Sequence, residues 1–398
     1  MAKSAKAQIT PDILHWARER IKISPSFAAE KIGVTEEVLA SWECGDDYPT
    51  IKQLESIVKV YKCHFSIFYL PSPPTDFKPL KDYRKPNYTS GDIQIEVEEY
   101  KLHANIIETY QRREALVALY ELLDQKPDLF TLRATIHEPC SVVADRIRSF
   151  LAIDMAELRS LGNNKYEIIK FWKRLIENKD ILVCQTSVNT HLAISPKIMQ
   201  GFCISERPFP VIVVNSSEPN VYRKLFTIIH ELVHIALGTS AIQNIDFREI
   251  DTSKFDPVEV FCNQVAAEIL VPSSLLRSLI PVNHGHEWNS DELLDLANNF
   301  KVNNEVVLRR LLSLGYTTQS FYQRYRREQS GKWNSRPQPK GFCPDYSKRI
   351  INSCGEYFVK TTFQAYYENK ITSYDLSEYL TGCNLKHIAD IEHAIFAR

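Results

Sequence analysis

Apolar positions recur at helical spacing from residue 11 to about residue 70, and the breaks fall at proline, glycine and small polar residues. The pattern predicts helices from Pro11 to Arg20, from Pro25 to Lys31 with a stop at Gly33, from the N-cap Thr35 to Trp42, and from the cap Thr50 through Val60. A short helix is predicted from Phe65 to Leu70, before Pro71-Ser72-Pro73-Pro74 ends regular structure. Phe77 to Gly91 is polar and reads as a linker or an extended arm across the next domain. One long helix is expected from Ile93 to Leu123, then shorter ones at about 140–151, 154–160 and 165–177. Strand character follows at Ile181–Val183, His191–Ile194, Gly201–Ile204 and Val211–Asn215, the last two as a pair. Helices return near Val221, from Pro257 to Val271, from Asp291 to Phe300 and from Asn304 to Leu314. Arg326 to Lys340 reads as a boundary or exposed loop, and Cys354 to Phe396 carries three helical patterns. The fold class is therefore mainly α with a small β-sheet (α+β). The expected parts are an all-helical domain over 1–75, a linker and helical scaffold over 76–160, a mixed domain over 161–325 and a helical C-terminal extension over 326–398.

Composition changes this picture little. With 398 residues and 44% hydrophobic content, the chain is long enough for two or more cores. A formal net charge of -1 gives no global basic excess for nucleic acid. No apolar run reaches the length of a membrane span, and the N-terminus has lysines without an apolar stretch behind them. The nine cysteines are scattered singly, which favours a reducing, cytoplasmic setting over a disulfide framework.

The chemistry concentrates at His230-Glu231-Leu232-Val233-His234. Histidines four apart share a helix face, so both imidazoles reach one metal, here Zn²⁺. Ile228, Ile229, Ile235, Ala236 and Leu237 make the segment apolar, and burying two histidines and a glutamate there is costly unless a metal satisfies them. Glu231 is the expected general base on the attacking water. The third ligand is expected from the next helix, where Glu259 is the choice and Asn263, four residues on, a steadying neighbour. Glu268 is the competitor, but it lies half a turn away from Glu259. Cys262 reads as core. His284 and His286 read as loop histidines, and His387 and His393 as surface residues. Tyr222, His191 and His286 are the candidates for stabilising an oxyanion or lining the cleft. The strand at Val211–Val214 is expected to offer a free edge to an extended peptide.

The segment from about Gly201 to Leu276 resembles the ImmA/IrrE family of metallopeptidases, through Pro210–Asn215, Phe226–His234, Glu259, Asn263 and Ala266–Pro272. That resemblance implies a zincin-like domain, zinc on His230, His234 and Glu259, and catalysis by Glu231. The N-terminal unit resembles the Xre/Cro-type helix-turn-helix, through Leu39–Gly45 and Pro49–Glu55. Together they resemble a known fusion associated with prophages, toxin–antitoxin-like loci and stress regulation. The implied activity is cleavage of a repressor or other regulatory partner.

DNA is the partner such a domain implies, yet residues 34–42 contain no Arg or Lys and carry Glu36 and Glu37. Lys22, Lys31, Lys52 and Gln53 are candidates for backbone contacts, and Thr35 and Ser41 for local ones. Docking of another protein, or of the chain's own peptidase domain, is the competing role for this unit. The aromatic-rich tail is read as packing on the peptidase domain, with a dimer or partner surface as the alternative. For the whole chain, the alternatives are a non-catalytic regulator or toxin–antitoxin component, and a metal-dependent hydrolase of a non-peptide substrate.

Overall fold

The structure is a computed structural model, and it describes residues 5–74, 80–82, 93–128, 130–187, 190–243, 256–281, 285–334 and 345–396. The chain divides into two compact units. One comprises Met1–Pro79, Lys85–Glu114 and Ser187–Ile198, and the other Leu80–Arg84, Ala115–Thr186 and Met199–Arg398.

The first unit opens with α1 (Pro11–Arg20), α2 (Pro25–Ile32), α3 (Glu36–Cys44) and α4 (Ile51–Tyr61), then a 3-10 turn at Phe65–Tyr69. Caps set these boundaries. Ser24 accepts from the Phe27 N–H, Thr35 from Val38, and Thr50 with Gln53 forms a capping box at the start of α4. Gly33 and Gly45 close α2 and α3 in the left-handed region. Leu14, Leu39, Trp42, Leu54, Ile57 and Phe68 form the core. The Arg18 guanidinium ties α1 to α3 by a two-pronged contact with Glu43, at 2.8 and 3.0 Å. The first part of α5 (Ile93–Leu122) belongs to this unit. There Asn105 donates to the Leu192 carbonyl and accepts from the Ser187 N–H. The expected strand at His191–Ile194 is absent. The chain makes a 3-10 turn at Thr190–Leu192, where the Leu192 carbonyl accepts from Asn105 of α5, and the Ser195 N–H just beyond donates to Glu98 of the same helix.

The second unit is built around a five-stranded mixed sheet. Its strands are β1 (Lys81–Asp82), β2 (Leu182–Gln185), β3 (Gly201–Ile204), β4 (Val211–Val214) and β5 (Ala241–Gln243), in the order β1-β5-β3-β4-β2. β3 is antiparallel to both β4 and β5, while β2 with β4 and β1 with β5 are parallel pairs. β2, β3 and β4 are buried almost throughout, which explains their continuous apolar runs. The expected free edge at Val211–Val214 is corrected: β4 has partners on both sides, and both rows of its backbone groups are used.

The helices of this unit are α6 (Cys140–Phe150), α7 (Met155–Ser160), α8 (Lys165–Glu177), α9 (Val221–Leu237), α10 (Pro257–Leu270), α11 (Ser273–Leu279), α12 (Ser290–Phe300), α13 (Asn304–Ser313), α14 (Gln319–Asn334), α15 (Tyr346–Cys354), α16 (Glu356–Tyr367), α17 (Ser373–Tyr379) and α18 (Ile388–Phe396). α9 is the central one, lying against β3, β4, α8 and α10. The boundary expected from Arg326 is corrected as far as Asn334, because α14 continues through it; residues 335–340 lie outside the described residues. α15 and α16 pack on the edge strand β2, where Cys184 Sγ donates to the Cys354 carbonyl. Gly355 makes this approach feasible, since a Cβ there would meet Cys184 Sγ and the Val183 carbonyl at 3.3 Å. Phe358 and Phe363 are core, whereas Tyr367, Tyr374 and Phe396 are exposed.

Candidate metal centre

α9 starts where Asn220 accepts from the Tyr222 and Arg223 N–H groups, and stops at Gly238 in the left-handed region. Every residue from Leu225 to Ala236 is buried, including His230, Glu231 and His234. α10 starts at Pro257 with Asp256 capping the Val258 N–H, which places Glu259 in its first turn against α9.

The side chains of His230, His234 and Glu259 meet. The two Nε2 atoms are 3.0 Å apart, and Glu259 oxygens lie 3.2 Å from His230 Nε2 and 3.0 Å from His234 Nε2. The opposite ring nitrogens are held separately. His230 Nδ1 donates to Asn263 Oδ1 at 3.1 Å. Thr239 Oγ1 donates to the His234 carbonyl, so its lone pair is available to His234 Nδ1 at 3.2 Å. With both Nδ1 atoms carrying the proton, both Nε2 lone pairs face a carboxylate in a fully buried pocket. Three electron-rich groups converging away from water call for a cation, and imidazole plus carboxylate is a donor set that suits zinc. The residues therefore fit the metal.

The electrostatics describe the same convergence. Burial raises the Glu259 carboxyl, but hydrogen bonds and charge from His230 and then His234 outweigh it and hold it down at about 2. Burial also opposes charge on His230, yet Glu259 overrides it and the pKa is raised. For His234, burial and the neighbouring His230 win, and the pKa is lowered. Glu231 is pushed up to about 8, chiefly by burial, with His230 opposing and Glu259 adding to it. Among the described residues, neither Glu231 oxygen has a donor in ordinary hydrogen-bond geometry, and the Cys203 thiol lies against the carboxylate.

Two features of the site lie outside its sequence motif. Gly201 on β3 lets the strand approach α9: a Cβ there would sit 2.5 Å from Thr227 Cγ2, 3.0 Å from the Val213 carbonyl and 3.4 Å from Glu231 Oε1. Cys262, expected as core, is buried and also forms a group with the two histidines, its Sγ within 4.8 Å of a ring nitrogen of each.

The other candidates are placed elsewhere. Glu268 accepts from the Ser273 N–H and Oγ at 2.8 Å and pairs with Arg310, so its carboxylate is consumed away from the histidines. Tyr222 is half-buried two turns before His230, with burial raising its pKa. His286 is exposed, and its carbonyl accepts from Thr317. His191 is exposed in the other unit. No described contact joins Tyr222 or His286 to the cluster. His284 lies outside the described residues.

In the helical unit, Thr35 is occupied as the α3 cap, Ser41 Oγ donates to the Val38 carbonyl, and Gln53 Oε1 accepts from Thr50 N–H and Oγ1. Lys31 lies over the Phe27 ring. Lys22 and Lys52 are exposed. After α13, Arg324 pairs with Glu287 and Arg326 with Glu305.

Comparison with known families agrees with this division of labour. Residues 177–312 match the IrrE N-terminal-like domain, a peptidase family, and residues 14–68 match a helix-turn-helix domain. The chain thus joins a metallopeptidase-type domain to an Xre-type helix-turn-helix domain. No curated protein and no solved structure gives a significant match. Among the described residues, no helix is long and apolar enough to cross a membrane.

Proposed function

We propose that the chain is a zinc-dependent endopeptidase that cleaves a specific regulatory protein, such as a repressor. His230 and His234 hold the metal through Nε2, and Glu259 through its carboxylate. The bound metal supplies Lewis acidity, which lowers the pKa of water and polarises a carbonyl. Glu231 takes the proton of the attacking water and delivers it to the leaving amine. Asn263 and Thr239 hold the two rings in the tautomer that leaves Nε2 free. The observation that carries the proposal is the meeting of His230, His234 and Glu259 in a buried pocket, one residue from Glu231.

The test is Glu231→Gln, which is expected to keep its zinc and lose turnover. Cells expressing each form are compared for new protein N-termini. N-termini seen with the native chain and missing with the variant identify the substrate. Identical sets sink the peptidase reading and favour a non-catalytic regulator.

A second reading concerns the helix-turn-helix unit. DNA is the partner its class implies. However, α3 presents exposed Glu36, Glu37 and Val38, and its hydroxyl residues are spent on local bonds. These features favour protein docking through this face, because phosphate neutralisation needs Lys and Arg. A mobility shift with promoter DNA at low salt separates the two roles, and steeply salt-dependent binding would contradict docking.

A further inference from the structure

We propose that the Cys262 thiolate is a fourth protein ligand at this centre and closes its coordination shell in the resting protein. The inference rests on the metal site proposed above and adds a state of that site. Glu259 and Cys262 are three residues apart on α10, so they project from neighbouring parts of one helix face. Cys262 is fully buried, and its Sγ lies within 4.8 Å of ring nitrogens of both histidines. Among the described residues, no hydrogen bond engages that sulfur. The other thiol of the region differs in this respect. Cys203 Sγ donates to the Thr239 carbonyl at 3.5 Å and lies against Glu231, on the strand side of α9.

Two imidazoles, one carboxylate and one thiolate complete a tetrahedral zinc shell, whereas hydrolysis needs one position open to water. When Cys262 coordinates, its S–H bond breaks, a sulfur–metal bond forms and the proton passes to solvent. The reverse exchange restores the thiol and opens one position. The resting protein is therefore latent until its substrate binds and displaces Cys262. A thiolate also makes the site softer, so it favours thiophilic divalent metals over hard ones.

The test uses the full chain loaded with zinc for X-ray absorption and with cobalt for electronic spectra. Native protein and Cys203→Ala are expected to show a sulfur neighbour at about 2.3 Å and a thiolate-to-cobalt charge-transfer band. Cys262→Ser and Cys262→Ala are expected to lose both signals and keep the metal stoichiometry. In these two variants, azide is expected to perturb the cobalt spectrum by entering the open position. A native shell of nitrogen and oxygen alone overturns the inference and leaves the metallopeptidase reading intact. A sulfur signal that survives in Cys262→Ser overturns it by assigning the ligand elsewhere. Failure of the native chain to take up metal overturns both.

Discussion

His230 Nδ1 donates to Asn263 Oδ1 across 3.1 Å, and this contact from α9 to α10 decides which ring nitrogen faces Glu259. Such a partner fixes the ring and its tautomer, and its loss typically weakens metal binding about 10–100-fold. Asn263→Ala is expected to lower zinc affinity within that range while the fold persists. Competition with a chromophoric chelator measures it, and an unchanged affinity would contradict the positioning role.

Gly201 brings β3 close against α9. Gly201→Ala drives a methyl into Thr227 Cγ2 and the Val213 carbonyl, and overpacking of this kind costs about 1–3 kcal/mol. Thr227→Ser removes the clashing methyl and is expected to recover part of the loss in the double variant. Urea unfolding of the four proteins reads this coupling. Strict additivity would show that the two residues do not meet.

Away from the metal centre, Glu177 supplies a pH dependence of stability. Burial pushes its carboxyl from 4.5 up to about 7, with Lys173 opposing and Glu356 adding to the effect. The folded chain thus holds this proton more tightly than the unfolded chain. The stabilisation is complete below the unfolded pKa and is lost as pH rises through about 7. The shift corresponds to about 3 kcal/mol in total. Glu177→Gln is expected to remove this loss and to be the more stable form at alkaline pH. Unfolding free energies at a series of pH values check it, and parallel profiles for the two proteins would contradict it.

Glu268 and Arg310 form a buried ion pair next to α11, with Arg310 held down at about 10, chiefly by burial. Removing one partner leaves a buried charge unpaired, so Glu268→Gln is expected to cost about 3–5 kcal/mol. Zinc content is expected to stay at the native level, since this carboxylate faces Arg310 and Ser273. Loss of zinc from a folded Glu268→Gln protein would return Glu268 to the ligand set.

The parts of the site carried by helical spacing were legible in the sequence. His230 and His234 are one turn apart on a single apolar helix, and the cap-and-proline start of α10 placed Glu259 and Asn263 on one face. The strand contributions were hidden because they depend on tertiary approach. Gly201 and Cys203 meet Glu231 only when β3 lies against α9. Thr239 reaches His234 only because Gly238 turns the chain back. β5 was missed because three residues after a helix stop carry too short an alternation to read. β4 read as an edge because periodicity reports that a strand is apolar and says nothing of its neighbours. The part of α14 from Arg326 onward read as a boundary or loop because its sequence there is charged and polar, without the apolar residues of its first turns, Phe321 and Tyr322.

The central claim is that His230, His234 and Glu259 hold a metal. Zinc content of protein purified without added metal, beside His234→Ala and Glu259→Ala prepared identically, tests it most directly. Stoichiometric zinc in the native chain, lost in both variants while their helical content is kept, is the predicted result. A native chain that carries no zinc and takes none up on titration would contradict the account.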